Sequence, residues 1–352
     1  MQKDFHYCLI KVLAKNSGFS EDDAQIIAYS SQYTDDSVEH MPFRIKNIPN
    51  ALNYSRINRG QDLFDPICTA HKGIQFLSGI VKKVQMDVYI AFHFCPPLPY
   101  GGHGPYNYCC TPDGMLARLL VKNSIKEIID AQNNDQRTQA LIKLGIALHT
   151  YADNWSHQRF SGRHSAKDND IERIAILKDG CYEAIPYFTQ LKLNATPDIG
   201  HGEASHFPDY SHCKWKYEHD SSGISYSIDN TSNFLEAACS IYKILCDGNN
   251  KLNDWKKISN KIEECLSVPS DSLKEKFNKY QLTFPDIQFN YHENDWRQQA
   301  LKGESFEWIN FDDSDYISQT YDFNGDLKWF YFHIAAYDQR IFVQSNIRKD
   351  LI

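Results

Sequence analysis

Residues 137–164 read RTQALIKLGIALHTYADNWSHQRFSGRH, and the fold reading follows from this stretch. Leu141, Leu144, Leu148, Ala152 and Trp155 recur at helical spacing, which predicts an amphipathic helix with one buried stripe. His149, Asp153 and His157 lie on the same helix. Each four-residue step turns a helix about 40° beyond a full circle, so the three side chains fall in a wedge roughly 80° wide and reach toward one point. A lone His-x-x-x-Asp pair is common on an ordinary capped or core-lining helix. Three such groups in register on a helix otherwise made of Leu, Ile, Ala and Gly are costly to bury without a partner. A metal ion is the partner that suits imidazole and carboxylate together.

The rest of the composition sets bounds. At 352 residues the chain can bury a substantial core as one large domain or two smaller ones. A net charge of −8 argues against a dedicated duplex-DNA surface, which needs clustered Lys and Arg. No run of eighteen apolar residues is present, so no transmembrane segment is expected. The start, MQKDFHYCLIKVLAKNSG, has no small-residue cleavage site after an apolar core and does not read as a secretory signal. Ten cysteines without a Cys-x-x-Cys pair suggest reduced thiols in a cytoplasmic protein. Twelve of the fourteen histidines fall within residues 1–219, which locates the chemistry in that part of the chain.

Along the chain, residues 3–15 set Phe5, Leu9, Val12 and Leu13 on one helical face, with His6 beside the stripe. Ser20-Glu-Asp-Asp23 reads as an N-cap and acidic first turn of a second helix ending near Tyr33. Asp35 and Asp36 then stand at the negative end of that helix dipole, a conflict that a nearby cation removes and a solvated turn tolerates. Residues 41–70 read as a loop. His71 opens a helical stretch, and His93 sits between two phenylalanines. Residues 96–114, rich in Pro, Gly and Tyr, read as an irregular lid or pocket wall, with His103 as a loop residue. Residues 113–131 form an amphipathic helix. Arg159 and Arg163 follow His157 closely, as surface charge or as forks for phosphate oxygens. His201, His206 and Asp209 share a Gly- and Pro-broken segment, the kind of loop that completes a helical half-site. Beyond 220, four stretches (231–246, 251–266, 272–280 and 325–345) show helical periodicity. The expected fold is therefore mainly α, a multi-helix bundle with long irregular loops. Residues 1–220 would be the metal-binding core, and 221–352 a helical C-terminal extension packed on it.

DFHY near the start, QYTDDS, TAH at 69–71, FHF at 92–94, ALHTYADNWSHQRFSG and IGHGEASHFPDY together resemble an uncharacterised bacterial family of unknown function over most of residues 3–215. More distantly the chain is similar to the helical zinc-dependent phospholipases C and the fungal single-strand-specific zinc nucleases, the fold the bundle would share. That resemblance implies ligands at His6, Asp35 or Asp36, His71 or His93, His149 with Asp153, His157, and His201 with Asp209. His206 stands as a further candidate. It implies one to three zinc ions, with manganese or iron as alternatives. Two departures stand out. The secreted enzymes use an amino group exposed by signal cleavage, whereas this chain begins Met-Gln-Lys, and Asp209 lies eight residues beyond His201. The expected function is a metal-dependent hydrolase of phosphate esters, such as phospholipid or nucleic-acid phosphodiesters. It would use a metal-activated water, with Asp35 or Asp36 as proton acceptor and Arg159 and Arg163 orienting the phosphate. The rival expectations are a metal-stabilised binding protein without catalysis and an intracellular toxin or defence effector using the same chemistry.

Overall fold

The computed structural model describes residues 1–49, 63–98, 107–219, 222–311 and 314–347. Its centre is the helix Asn134–Ser156, whose first turn is capped by the Asn133 side chain accepting from the Gln136 amide at 2.9 Å. Every residue from Leu144 to Ser156 is buried, so the single apolar stripe read from the sequence is incomplete. The reason is position: the helices Glu21–Asp36, Met115–Asp130 and Lys328–Ser345 and the helical turn Gln85–His93 all pack on it. Gly145 makes one of these contacts close, since a Cβ there would stand 1.9 Å from Ser30 Oγ and 2.3 Å from the Ile27 carbonyl. That approach brings the end of Glu21–Asp36, which runs past the expected Tyr33, alongside His149.

The expectation of a mainly α bundle is overturned by two four-stranded sheets, which make the fold a mixture of α and β. The strands in chain order are β1 (Phe43–Lys46), β2 (Leu63–Phe64), β3 (Ile171–Lys178), β4 (Cys181–Ala184), β5 (Lys214–His219), β6 (Ile224–Asp229), β7 (Leu301–Phe311) and β8 (Ser314–Phe323). One sheet has the order β2-β1-β8-β7, the other β4-β3-β5-β6. β1 runs parallel to β8 with Arg44 opposite Thr320, so the loop expected over 41–70 contributes two strands and the C-terminal stretch supplies their partners. In the second sheet a bulge between Glu172 and Ala175 interrupts the alternation of β3, which hides it from a period-two reading. The segment 96–114 and its His103 lie partly outside the described residues, which leave out 99–106.

Three apolar clusters fill the space between these elements. The largest joins the central helix to the first 30 residues and to the helix Asn230–Gly248. A second, rich in aromatic rings, lies between the first sheet and the C-terminal helix Lys328–Ser345. The third packs Trp215 and Tyr217 of β5 against Phe94, Phe160 and Ile199, and so places the second sheet behind the loop that carries His201. Among the described residues no helix is long and apolar enough to cross a membrane, and all ten cysteines are free thiols.

Candidate metal centre

Two of the histidine-bearing segments are π-helical, Asp4–Leu9 with His6 and Gln85–His93 with His93. A π-helix shifts its hydrogen bonds by one residue, as Phe94 N donating to the Tyr89 carbonyl at 2.8 Å illustrates, and leaves carbonyls for other donors. Thr150 Oγ1 uses one of them, donating to the Phe92 carbonyl at 2.8 Å, while Gln339 Nε2 donates to both Thr150 Oγ1 and the Ala91 carbonyl. These bonds fix His93 against the central helix.

Eight side chains converge there in three groups, each with its ligand atoms within 4.8 Å of one another: His6, His149 and Asp153; Asp35, His93 and His149; His157, His201 and Asp209. Three of the rings are oriented from behind by backbone carbonyls. His93 Nε2 donates to Thr69 O at 2.8 Å, His157 Nδ1 to His93 O at 2.9 Å, and His201 Nδ1 to Ser205 O at 2.8 Å. Each bond selects a tautomer and turns the other ring nitrogen, with its lone pair, into the site. His93 Nδ1 accordingly lies 3.1 Å from His149 Nε2 and 3.3 Å from Asp153 Oδ2, and His157 Nε2 lies 3.2 Å from Asp209 Oδ1. His6 stacks on His149 with ring centroids 3.8 Å apart, and its Nε2 is 3.1 Å from Asp153 Oδ1. The outer Nδ1 atoms of His6 and His149 are buried without a hydrogen-bond partner. Five imidazoles and three carboxylates packed in this way are a donor set that divalent transition metals fit.

The loop carrying His201 depends on a glycine. Gly200 has φ +56°, and a Cβ there would come within 2.2 Å of the Phe94 ring. Behind the loop, Glu203 Oε2 accepts from the Ile171 amide of β3 at 2.9 Å. Thr69, which orients His93, is held in turn by its amide donating to Ser37 O at 2.9 Å and its hydroxyl donating to Thr34 O at 2.7 Å.

The α-amino group of Met1 lies inside the cluster, 2.8 Å from Asp153 Oδ1 and 3.0 Å from Asp209 Oδ1. The sequence comparison carried no ligand to that position. Burial alone would lower its pKa, but Asp153, Asp209 and Asp35 raise it to about 11. Burial would likewise raise the carboxyl of Asp153, yet His157, the α-amine, His149 and His6 hold it well below the usual carboxylate range. Asp35 goes the other way, pushed up by burial against the opposing pull of His149 and His93. The centre is a mutually compensating set of charges in a buried place, not a row of independent groups.

The remaining sequence candidates lie elsewhere. His71 lines the cavity, but its Nδ1 faces Ser78 Oγ at 3.1 Å and it belongs to none of the three groups. His206 is exposed at the rim. Asp36 points away from the eight side chains to Lys72, 2.6 Å distant. Arg159 lies over the Tyr226 ring at 4.6 Å, Arg163 over the Tyr108 ring at 4.6 Å, and neither is among the described residues that line the cavity. That cavity, of about 660 Å³, is open on one side and is walled by Phe76, Tyr89 and Ile199.

A family model matches residues 1–347, and its description is a family of unknown function, DUF6765. The match extends well beyond the region of resemblance read from the sequence. No curated protein and no solved structure matches the chain.

Proposed function

From the premise that this chain belongs to DUF6765, a family of unknown function, we propose that it is a metal-dependent hydrolase of phosphate esters, with zinc as the metal its donors suit best. The observation that carries the reading is the orientation of three imidazoles. His93, His157 and His201 each spend one ring nitrogen on a backbone carbonyl and present the other to a site where Asp35, Asp153 and Asp209 converge, at the floor of an open cavity. Bound cations would supply Lewis acidity and a water of lowered pKa there. In this reading His6, His93, His149, His157, His201, Asp153 and Asp209 hold the cations. Asp35 faces the cavity as the carboxylate placed to take a proton from the attacking water. The distant similarity to zinc-dependent phospholipases C and single-strand-specific zinc nucleases belongs to the same proposal.

The test is metal analysis of the purified protein combined with turnover of bis(p-nitrophenyl) phosphate and a panel of natural phosphodiesters. Wild type should carry transition metal and hydrolyse at least one of them, with turnover lost on chelation and regained on adding zinc. Asp35→Asn should lower turnover by about 10²-fold, the scale of a general base. Tightly held metal with no turnover of any phosphate ester would leave a metal-stabilised binding protein as the better description.

A further inference from the structure

The sequence sets Asp35 and Asp36 side by side, and the structure sends them to different tasks. Asp36 accepts from Lys72 Nζ at 2.6 Å, from the Tyr291 hydroxyl at 2.5 Å and from Gln32 Nε2 at 3.1 Å. Lys3 Nζ stands 3.9 Å from the same carboxylate and 4.7 Å above the Tyr291 ring. Asp36 is nearly buried, whereas the Lys3 side chain is 26% and the Lys72 side chain 52% exposed. Both lysines line the cavity onto which six of the eight groups open, Asp35, His93, Asp153, His157, His201 and Asp209, and among the described residues no other Lys or Arg does.

Two ammonium groups are more than Asp36 needs. One ammonium neutralises one carboxylate, and Tyr291 and Gln32 already occupy further lone pairs. An ammonium has three donors, of which Asp36 takes one from Lys72, and Lys3 lies beyond hydrogen-bond reach. Glu293 approaches Lys72 only to 4.0 Å, is more than half exposed, and does not line the cavity. Two ammonium groups thus stand beside a carboxylate whose chain neighbour, Asp35, lines the same cavity.

We propose that Lys3 and Lys72, positioned by Asp36, form a second anion subsite that takes a phosphate group other than the one being attacked. The inference rests on reading the cavity as a phosphate-ester site, and it narrows the substrate to esters carrying a second phosphate near the first. Arg159 and Arg163, expected to orient the attacked phosphate, are not among the described residues that line the cavity. Asp36 acts through them, as a positioning residue.

Calorimetry with the metal-loaded protein tests this with thymidine 3′,5′-bisphosphate against thymidine 5′-monophosphate. Wild type should bind the bisphosphate about tenfold more tightly, the scale of one charge-assisted hydrogen bond. Lys3→Gln with Lys72→Gln should bring the bisphosphate down to the affinity of the monophosphate at unchanged metal content, and Lys72→Arg should keep the preference. Asp36→Asn should weaken the preference while the metal stays bound, which a purely structural role would not do. Equal affinity for the two probes in wild type, no binding of either, or a preference that survives the double substitution overturns the proposal. A bisphosphate preference in a protein that turns over no ester would retain the subsite and remove the hydrolase. Turnover without the preference would do the reverse.

Discussion

His149 and His333 are both fully buried histidines on helices, and they stand in opposite surroundings. His333, on Lys328–Ser345, lies among the rings of Trp329, Phe64 and Phe332, with its Nδ1 accepting from the Ile67 amide at 3.0 Å. Burial pushes its pKa down to about 3, with the charges of Arg297 and Arg340 acting in the same direction, so it is a neutral core residue. His149 meets another imidazole, two carboxylates and a stacked histidine instead. Burial is common to both and decides nothing. What separates a core histidine from a ligand is the number of other donor atoms that converge on its ring nitrogen, and whether those neighbours are themselves oriented from behind.

The largest expected effect sets the two regions against each other. Asp153→Ala removes the carboxylate that the Met1 amine and His6 share at 2.8 and 3.1 Å, and should cost about 3–5 kcal/mol, the usual cost of breaking a buried pair. It should also release the metal. Trp329→Ala in the aromatic core should cost a similar 3–5 kcal/mol through the cavity it leaves, with metal content intact. Thermal melts paired with metal analysis check both, and loss of metal in Trp329→Ala would erase the contrast.

The next effect sharpens it through pH. Native His333 stays neutral down to about pH 3, while the unfolded chain takes up a proton near 6.5. The unfolded state therefore binds more protons below pH 6.5, and stability should fall with acid by up to about 1.4 kcal/mol per pH unit. His333→Gln should flatten that slope relative to wild type in urea titrations at pH 7 and pH 5. An unchanged slope would mean that His333 takes up its proton in the folded state.

The smallest effect concerns the arginines. With Arg159 over Tyr226 and Arg163 over Tyr108, Arg159→Ala and Arg163→Ala should leave metal content unchanged and turnover within roughly twofold, the range of a surface substitution. A tenfold loss in either would return the phosphate-contacting role to that residue.

Much of the site was legible because it is local. His149, Asp153 and His157 are spaced by the helix itself, so a single segment exposes their convergence. The fold class was not legible in the same way. β1 finds its partner β8 more than 270 residues away, and β3 carries a bulge, so neither strand shows its pairing in its own period. The central helix also misled, since a segment packed on all sides needs no polar face, and one stripe of leucines understated its burial.

The sequence by itself determined which residue types could hold a metal and placed most of them in the first 219 residues, because helical spacing and ligand chemistry are properties of short segments. Tertiary structure alone decided the choices between neighbours. It took His93 over His71, turned Asp35 toward His93 and His149 and Asp36 toward Lys72, and brought the Met1 amine between Asp153 and Asp209. Those choices depend on contacts such as Gly145 against Ile27 and His93 against the Thr69 carbonyl, which join segments far apart in the chain and have no signature in either segment alone.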